Sequence, residues 1–227
     1  EHGVLLHRAH TYQLAINGND GHAIHGEVRN RAMQVEEQSQ EHAVLTFNSN
    51  QYQGISWPFQ FSTTIEYRLQ DREFTMKLSV ANLGYDEMPT GMGIHPYFVR
   101  TLKQEVEQVV VELPMTGIYP GDTPIPTGRW ETIPSELDFS QARELTTEFI
   151  DRCYRVNPQP AWIRWMHSKL QLKIVSDPVF EHLILYCPKD DVRYFAVEPV
   201  TNCNNGFNMA NQGIEDTGTV YLEPNGV

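Results

Sequence analysis

Phe61-Ser62-Thr63-Thr64-Ile65-Glu66-Tyr67-Arg68-Leu69 decides the fold class. Its odd positions are mostly apolar or β-branched, the period-two pattern of a strand with one face on a core. After Gln70-Asp71-Arg72 the alternation resumes as Phe74, Met76, Leu78 and Val80, with Thr75, Lys77 and Ser79 between them. Two such runs around a short polar turn read as an antiparallel hairpin. A second hairpin is expected from residues 162–166, a turn near Ser168-Lys169, and Leu170, Leu172 and Ile174 alternating with Gln171 and Lys173. Leu183-Ile184-Leu185-Tyr186 and Tyr194-Phe195-Ala196-Val197 are short apolar runs of the kind that form strands buried on both faces.

Outward from these strands, helical periodicity is scarce. Residues 135–145 leave room for a helical turn or two, and residues 114–128, with Pro120, Pro124 and Pro126, read as a long surface loop. No internal repeat, low-complexity tract or shift in composition marks a boundary, so residues 1–227 are expected to form a single domain. Many short strands separated by turn residues predict an all-β chain: one large antiparallel β-sandwich with few short helices.

Composition narrows the function classes. Seventeen basic against twenty-nine acidic residues give a net charge of −12, which weighs against nucleic acid as a partner. Mean hydropathy is −0.44, and no apolar run approaches the roughly eighteen residues of a membrane span, so no membrane association is expected. Cys153, Cys187 and Cys203 are odd in number, far apart and in no C-x-x-C pair, which points away from a disulfide framework or a structural zinc site and towards a reducing cytosol. The chain opens Glu1-His2-Gly3, without an initiator methionine or the basic-then-apolar pattern of a secretory signal. A cytoplasmic protein, trimmed or shortened at its start, is the expectation.

Four polar clusters carry candidate chemistry. In Thr90-Gly91-Met92-Gly93-Ile94-His95-Pro96-Tyr97-Phe98, two glycines permit tight backbone conformations and Pro96 biases His95 towards an extended one, so one imidazole stands out from a stiff, aromatic-backed segment. The competing reading is a hydrogen-bonded core histidine. Asn19-Asp20-Gly21-His22-Ala23-Ile24-His25-Gly26 is explained by a plain turn, while His22 and His25 are also conceivable metal ligands. Asp151 sits between apolar residues in Ile150-Asp151-Arg152-Cys153-Tyr154, as a cap, an ion-pair partner or a site residue. Glu198 leaves the end of an apolar strand and is fixed by Pro199; a buried glutamate is costly, so it serves either a site or a salt bridge.

In order along the chain, His-x-x-His-Gly at 22–26, Gly-x-Gly-x-His-Pro-Tyr-Phe at 91–98, Ile-Asp-x-x-Tyr at 150–154, and Val-Glu-Pro-x-Thr at 197–201 followed by Gly-Phe-Asn resemble the aldose 1-epimerase (mutarotase) family, and within it the bacterial galactose-mutarotase-like branch. The closing Val220-Tyr221-Leu222-Glu223-Pro224 is similar to that branch's last strand, and only some twenty residues precede His22, fewer than relatives carry. The resemblance implies an antiparallel β-supersandwich that opens and recloses the pyranose ring of a free sugar. By match, His95 would be the general acid at the ring oxygen and Glu198 the general base at the anomeric hydroxyl. His25, Asp151 and Arg31 would hold sugar hydroxyls.

The chemistry asks for such a pair independently, because opening a hemiacetal removes one proton from the C1 hydroxyl while another reaches the ring oxygen. No metal, nucleotide or redox cofactor is called for. Three other readings stay open: a non-catalytic carbohydrate-binding β-sandwich, a hexose-6-phosphate epimerase, and a metal-dependent β-sandwich enzyme using His22, His25 and His95. The sequence is silent on oligomeric state.

Overall fold

Strand β1 (Val4–His7) opens the chain in the computed structural model, which describes residues 1–103, 107–121 and 123–227. It is followed by β2 (His10–Gln13), β3 (Gln34–Gln38), β4 (His42–Asn48), β5 (Phe61–Gln70), β6 (Glu73–Asn82) and β7 (Met88–Thr90). Next come β8 (Tyr97–Val99), β9 (Val109–Glu112), β10 (Met115–Ile118), β11 (Arg143–Glu144), β12 (Ile150–Val156) and β13 (Ala161–Trp165). The chain ends with β14 (Leu170–Ile174), β15 (His182–Cys187), β16 (Tyr194–Val200), the helix α1 (Gly206–Asn211) and β17 (Val220–Leu222). All strand pairings among the described residues are antiparallel. The architecture is all-β and antiparallel, as the alternation predicts. Among the same residues no helix is long and apolar enough to cross a membrane.

The chain divides into two compact units, Glu1–Thr90 with Val220–Val227, and Gly91–Thr219. In the first, the sheet order is β3-β4-β5-β6, and the alternation at residues 61–80 forms β5 and β6 as expected, with Asp71 at a φ of 52° in the connecting turn. Phe47, Phe61 and Met88 form its core, with Trp57, Val80 and Leu222 packed against them.

The second unit is a sandwich of a five-stranded sheet, β10-β12-β15-β16-β8, and a four-stranded sheet, β11-β9-β13-β14. Val111, Ile163 and Trp165 of one sheet meet Tyr154, Leu185, Phe195 and Val197 of the other in one core. Each large apolar side chain so enclosed contributes about 1.5–3 kcal/mol. The second hairpin forms as read, β13 to β14, turning at Lys169 with a φ of 53°.

One expectation is narrowed and another corrected. Residues 135–145 hold only a 3-10 turn, Ser135–Leu137, and then strand β11. Their backbone bonds go to a neighbouring strand: Leu113 N–H donates to Phe139 O, Leu145 N–H donates to Val109 O, and Phe139 and Leu145 both enter the core. The 114–128 stretch is not loop throughout, because it begins with β10 and the buried Tyr119 before its prolines take over. The α-helix among the described residues is Gly206–Asn211, in the Asn-rich stretch where no helical period is visible.

Candidate active site

The site is built on β16 and the segment beside it. Met92 N–H donates to Thr201 Oγ1 at 2.9 Å, Thr201 N–H donates to the Met92 carbonyl at 2.8 Å, and Ile94 N–H donates to the Pro199 carbonyl at 3.1 Å. Gly93 pairs with Val200, and further along Tyr97 pairs with Ala196. Both pairings are in one register, which sets His95 directly across from Glu198. Pro96 has no N–H to give to a ladder, so the strand is interrupted there while the register survives. Gly91 and Gly93 have ordinary negative φ, and their role is close approach: a Cβ at Gly93 would stand 2.6 Å from Val200 Cγ1, and one at Gly91 would stand 1.9 Å from Asn202 Oδ1.

Side chains alternate across a strand, and here the alternation separates core from site. Phe195 and Val197 of β16 enter the core with Leu185 of β15, and Phe98 of β8 packs against them. The opposite face carries two cross-strand rows. One runs Cys153, Ile184, Glu198 and, across the interruption, His95. The other runs Asp151, Tyr186, Ala196 and Tyr97.

His95 Nε2 lies 3.2 Å from Glu198 Oε1, with the imidazole side chain 30% exposed and the carboxylate 5%. A small molecule can therefore reach the histidine first and find the carboxylate beneath it. Burial, and secondly the charge of Asp151, push Glu198 up from the usual carboxylate range to about 8. A proton on the neighbouring imidazole would act in the opposite sense, favouring the ionised carboxylate. Tyrosines gather around them. The Tyr97 ring stacks on His95 at 4.5 Å and 29°, and Tyr194 meets Tyr97 edge-on at 5.2 Å and 82°. Burial and the nearby Tyr194, Asp151 and Tyr97 raise the pKa of Tyr186.

Of the residues singled out in the sequence, the fold brings His95, Glu198 and Asp151 to one face of one sheet in the second unit. His25 and Arg31 belong to the first unit. His25 has a φ of 59° and precedes Gly26 at 68°, an uncommon conformation for a side-chain-bearing residue. Arg31 Nε donates to Glu27 Oε1 at 3.0 Å and its Nη2 donates to the Gly54 carbonyl at 2.6 Å, while Glu27 also accepts from the backbone N–H groups of Ser56 and Trp57. Asp20 Oδ1 accepts from the His22 N–H at 3.1 Å, the bond expected of a plain Asx turn. Among the described residues no three His, Cys, Asp or Glu side chains gather as a metal centre needs. Tyr97, Tyr186 and Tyr194 escaped the sequence reading as site residues, although Tyr97 follows His95 by two, the spacing that keeps a strand's side chains on one face.

The family model described as aldose 1-epimerase matches residues 3–226. The chain belongs to the aldose 1-epimerase family. The uncharacterized protein YihR of Escherichia coli K12 is 27% identical to this family member over 213 residues, which cover 91% of this chain and 67% of YihR. A galactose mutarotase-like protein from Clostridium acetobutylicum superposes with a TM-score of 0.85 at 19% identity, covering 99% of this chain and 72% of that one. Another galactose mutarotase-like protein, from Lactobacillus casei, gives 0.78 at 19% identity, covering 99% and 76%. These two likenesses establish that this aldose 1-epimerase family chain has the galactose mutarotase-like fold.

Proposed function

We propose that this protein is an aldose 1-epimerase that interconverts the α and β anomers of a free aldose by opening and reclosing the pyranose ring, with Glu198 as general base and His95 as general acid. The observation that carries this reading is the 3.2 Å contact between a part-exposed imidazole and a buried carboxylate that share one face of a sheet. The reacting state is the one in which the pair's proton has passed from Glu198 to His95, leaving the carboxylate ionised. Glu198 takes the proton of the C1 hydroxyl as His95 Nε2 gives its proton to the ring oxygen. The C1–O5 bond breaks and the open-chain aldehyde forms. Rotation about C1–C2 turns the other carbonyl face to the 5-hydroxyl, His95 removes that hydroxyl's proton, and Glu198 returns its own to the carbonyl oxygen.

Over the cycle the pair neither gains nor loses a proton. Ring opening moves the pair's proton from histidine to glutamate, a transfer that is uphill by about 1.36 kcal/mol for every unit by which the acid outranks the base. An ordinary glutamate would make this step costly. Burial and Asp151 lift Glu198 to about 8, near the usual range of a histidine, so both protonation arrangements are accessible within one cycle. As written, the reaction moves protons and no electrons, and these side chains suffice for it. Asp151 serves by setting the proton affinity of Glu198.

Polarimetry on freshly dissolved α-sugars, across a panel of free aldoses, tests the proposal. Equilibration faster than buffer for at least one aldose is expected. Buffer rates throughout, with a folded protein, would remove the enzymatic reading and leave sugar binding without turnover.

A further inference from the structure

The His95 side chain is part-exposed, and an imidazole on the surface of a sheet turns about its Cβ–Cγ bond unless something holds its plane. The pair requires one orientation only, with Nε2 towards Glu198 Oε1. The neighbouring row provides a hold. Tyr97 lies two residues along the chain on the same face, its ring against the imidazole with centroids 4.5 Å apart and planes at 29°. Its cross-strand neighbour is Ala196, the smallest side chain in the row, so the tyrosine is not displaced from that side. Tyr194 closes on it edge-on at 5.2 Å and 82°, the favourable T-shaped arrangement of aromatic rings. Even so, Tyr97 is 57% exposed, far more than a strand aromatic that serves only the core.

We propose that Tyr97 is a positioning residue for His95: its ring, braced by Tyr194, stacks on the imidazole and holds Nε2 on Glu198. This rests on the acid–base reading of that pair. The ring does the holding, not the hydroxyl. The hydroxyl oxygen lies 3.4 Å from His95 Nε2, at the long and weak end of the hydrogen-bonding range, so the stacked ring supplies the larger share of the hold. A stacked tyrosine also favours the imidazolium that the reaction needs at its start, by attraction between a cation and a ring face.

Two substitutions separate ring from hydroxyl. Tyr97→Phe is expected to keep turnover within about 3-fold of the parent, whereas Tyr97→Leu lowers kcat by at least about 10-fold with KM within about 2-fold, since orientation of the acid is lost and sugar binding is not. A ligand-free readout accompanies the kinetics: the ¹⁵N shifts of the His95 ring nitrogens, which report tautomer and hydrogen bonding. The parent and Tyr97→Phe are expected to share one pattern, with Tyr97→Leu moving towards the averaged values of a free imidazole. An unchanged nitrogen pattern in Tyr97→Leu overturns the proposal, as does equal loss in both variants, which would assign the role to the hydroxyl. If the parent itself accelerates no anomerisation, the acid–base reading fails, and the nitrogen shifts still decide whether Tyr97 orients His95.

Discussion

Glu198 is where folding and chemistry pull apart. A carboxyl buried on a sheet face holds its proton up to about pH 8, whereas in the unfolded chain it would release it near 4.5. Below about pH 4.5 the group is protonated in both states and its folded-state advantage is complete. As pH rises from there through 8 the unfolded chain ionises first, and stability is lost. At pH 8 the loss is on the order of a few kcal/mol, reduced by whatever the imidazole returns. Glu198→Gln is therefore expected to melt at a higher temperature than the parent at pH 8, with the gap closing towards pH 4.5, while its turnover falls by at least about 10²-fold. A variant that melts lower at pH 8 would contradict a buried, proton-binding Glu198. Asp151 offers a second test at this scale, because its charge raises the proton affinity of Glu198. In Asp151→Asn the pair should give up its shared proton at lower pH, so the alkaline limb of kcat/KM moves down. An unmoved or raised limb would refute the coupling.

At the scale of elements, the site depends on two strand segments staying in register over a stretch where proline interrupts the ladder. Packing at the Thr201 end of β16 helps to pin that strand. His182 Nδ1 donates to the Thr201 carbonyl at 2.8 Å, its Nε2 meets the Tyr119 hydroxyl at 2.8 Å, and burial lowers its pKa, so it is a neutral strut. Gly218 passes against this strut with a φ of +73°, and a Cβ there would lie 2.0 Å from Thr201 O and 2.7 Å from His182 Cε1. Gly218→Ala is expected to destabilise the fold by about 2 kcal/mol or more, from the left-handed backbone and the clash together, which denaturant melts would register. A neutral outcome would mean that the Thr201 end of β16 is not fixed by this packing.

The same elements show how much of the fold was legible in the sequence. The β5–β6 and β13–β14 hairpins were, because ten- and five-residue strands leave a clear alternation in the sequence, even in β14, where Leu170 and Leu172 stay exposed. Strand β10 was not, since four residues ahead of a proline-rich stretch leave no period to read. Nor was α1, six residues long and entered through Asn205 in a left-handed conformation. His95 and Glu198 were flagged one at a time by the prolines next to them. Their meeting was carried by family resemblance, because it depends on a pairing of segments about a hundred residues apart that no local pattern encodes. Tyr97 was in plain view, yet an aromatic at strand spacing is ordinarily core, and only its exposure sets it apart.

For the molecule as a whole, a net charge of −12 does not describe the site, where one part-exposed imidazole lies 3.2 Å from one buried carboxylate. The chain belongs to the aldose 1-epimerase family across residues 3–226, and in the second unit an imidazole and a carboxylate stand 3.2 Å apart as the proposed acid and base. The claim that this pair opens the sugar ring is tested most directly by exchange NMR between α and β anomers of a responsive aldose, with the parent, His95→Asn and Glu198→Gln at equal concentration. The parent should transfer magnetisation between anomers well above the buffer rate, and each variant should lose at least about 10²-fold of that excess. Parent-like exchange in either folded variant would place the chemistry elsewhere.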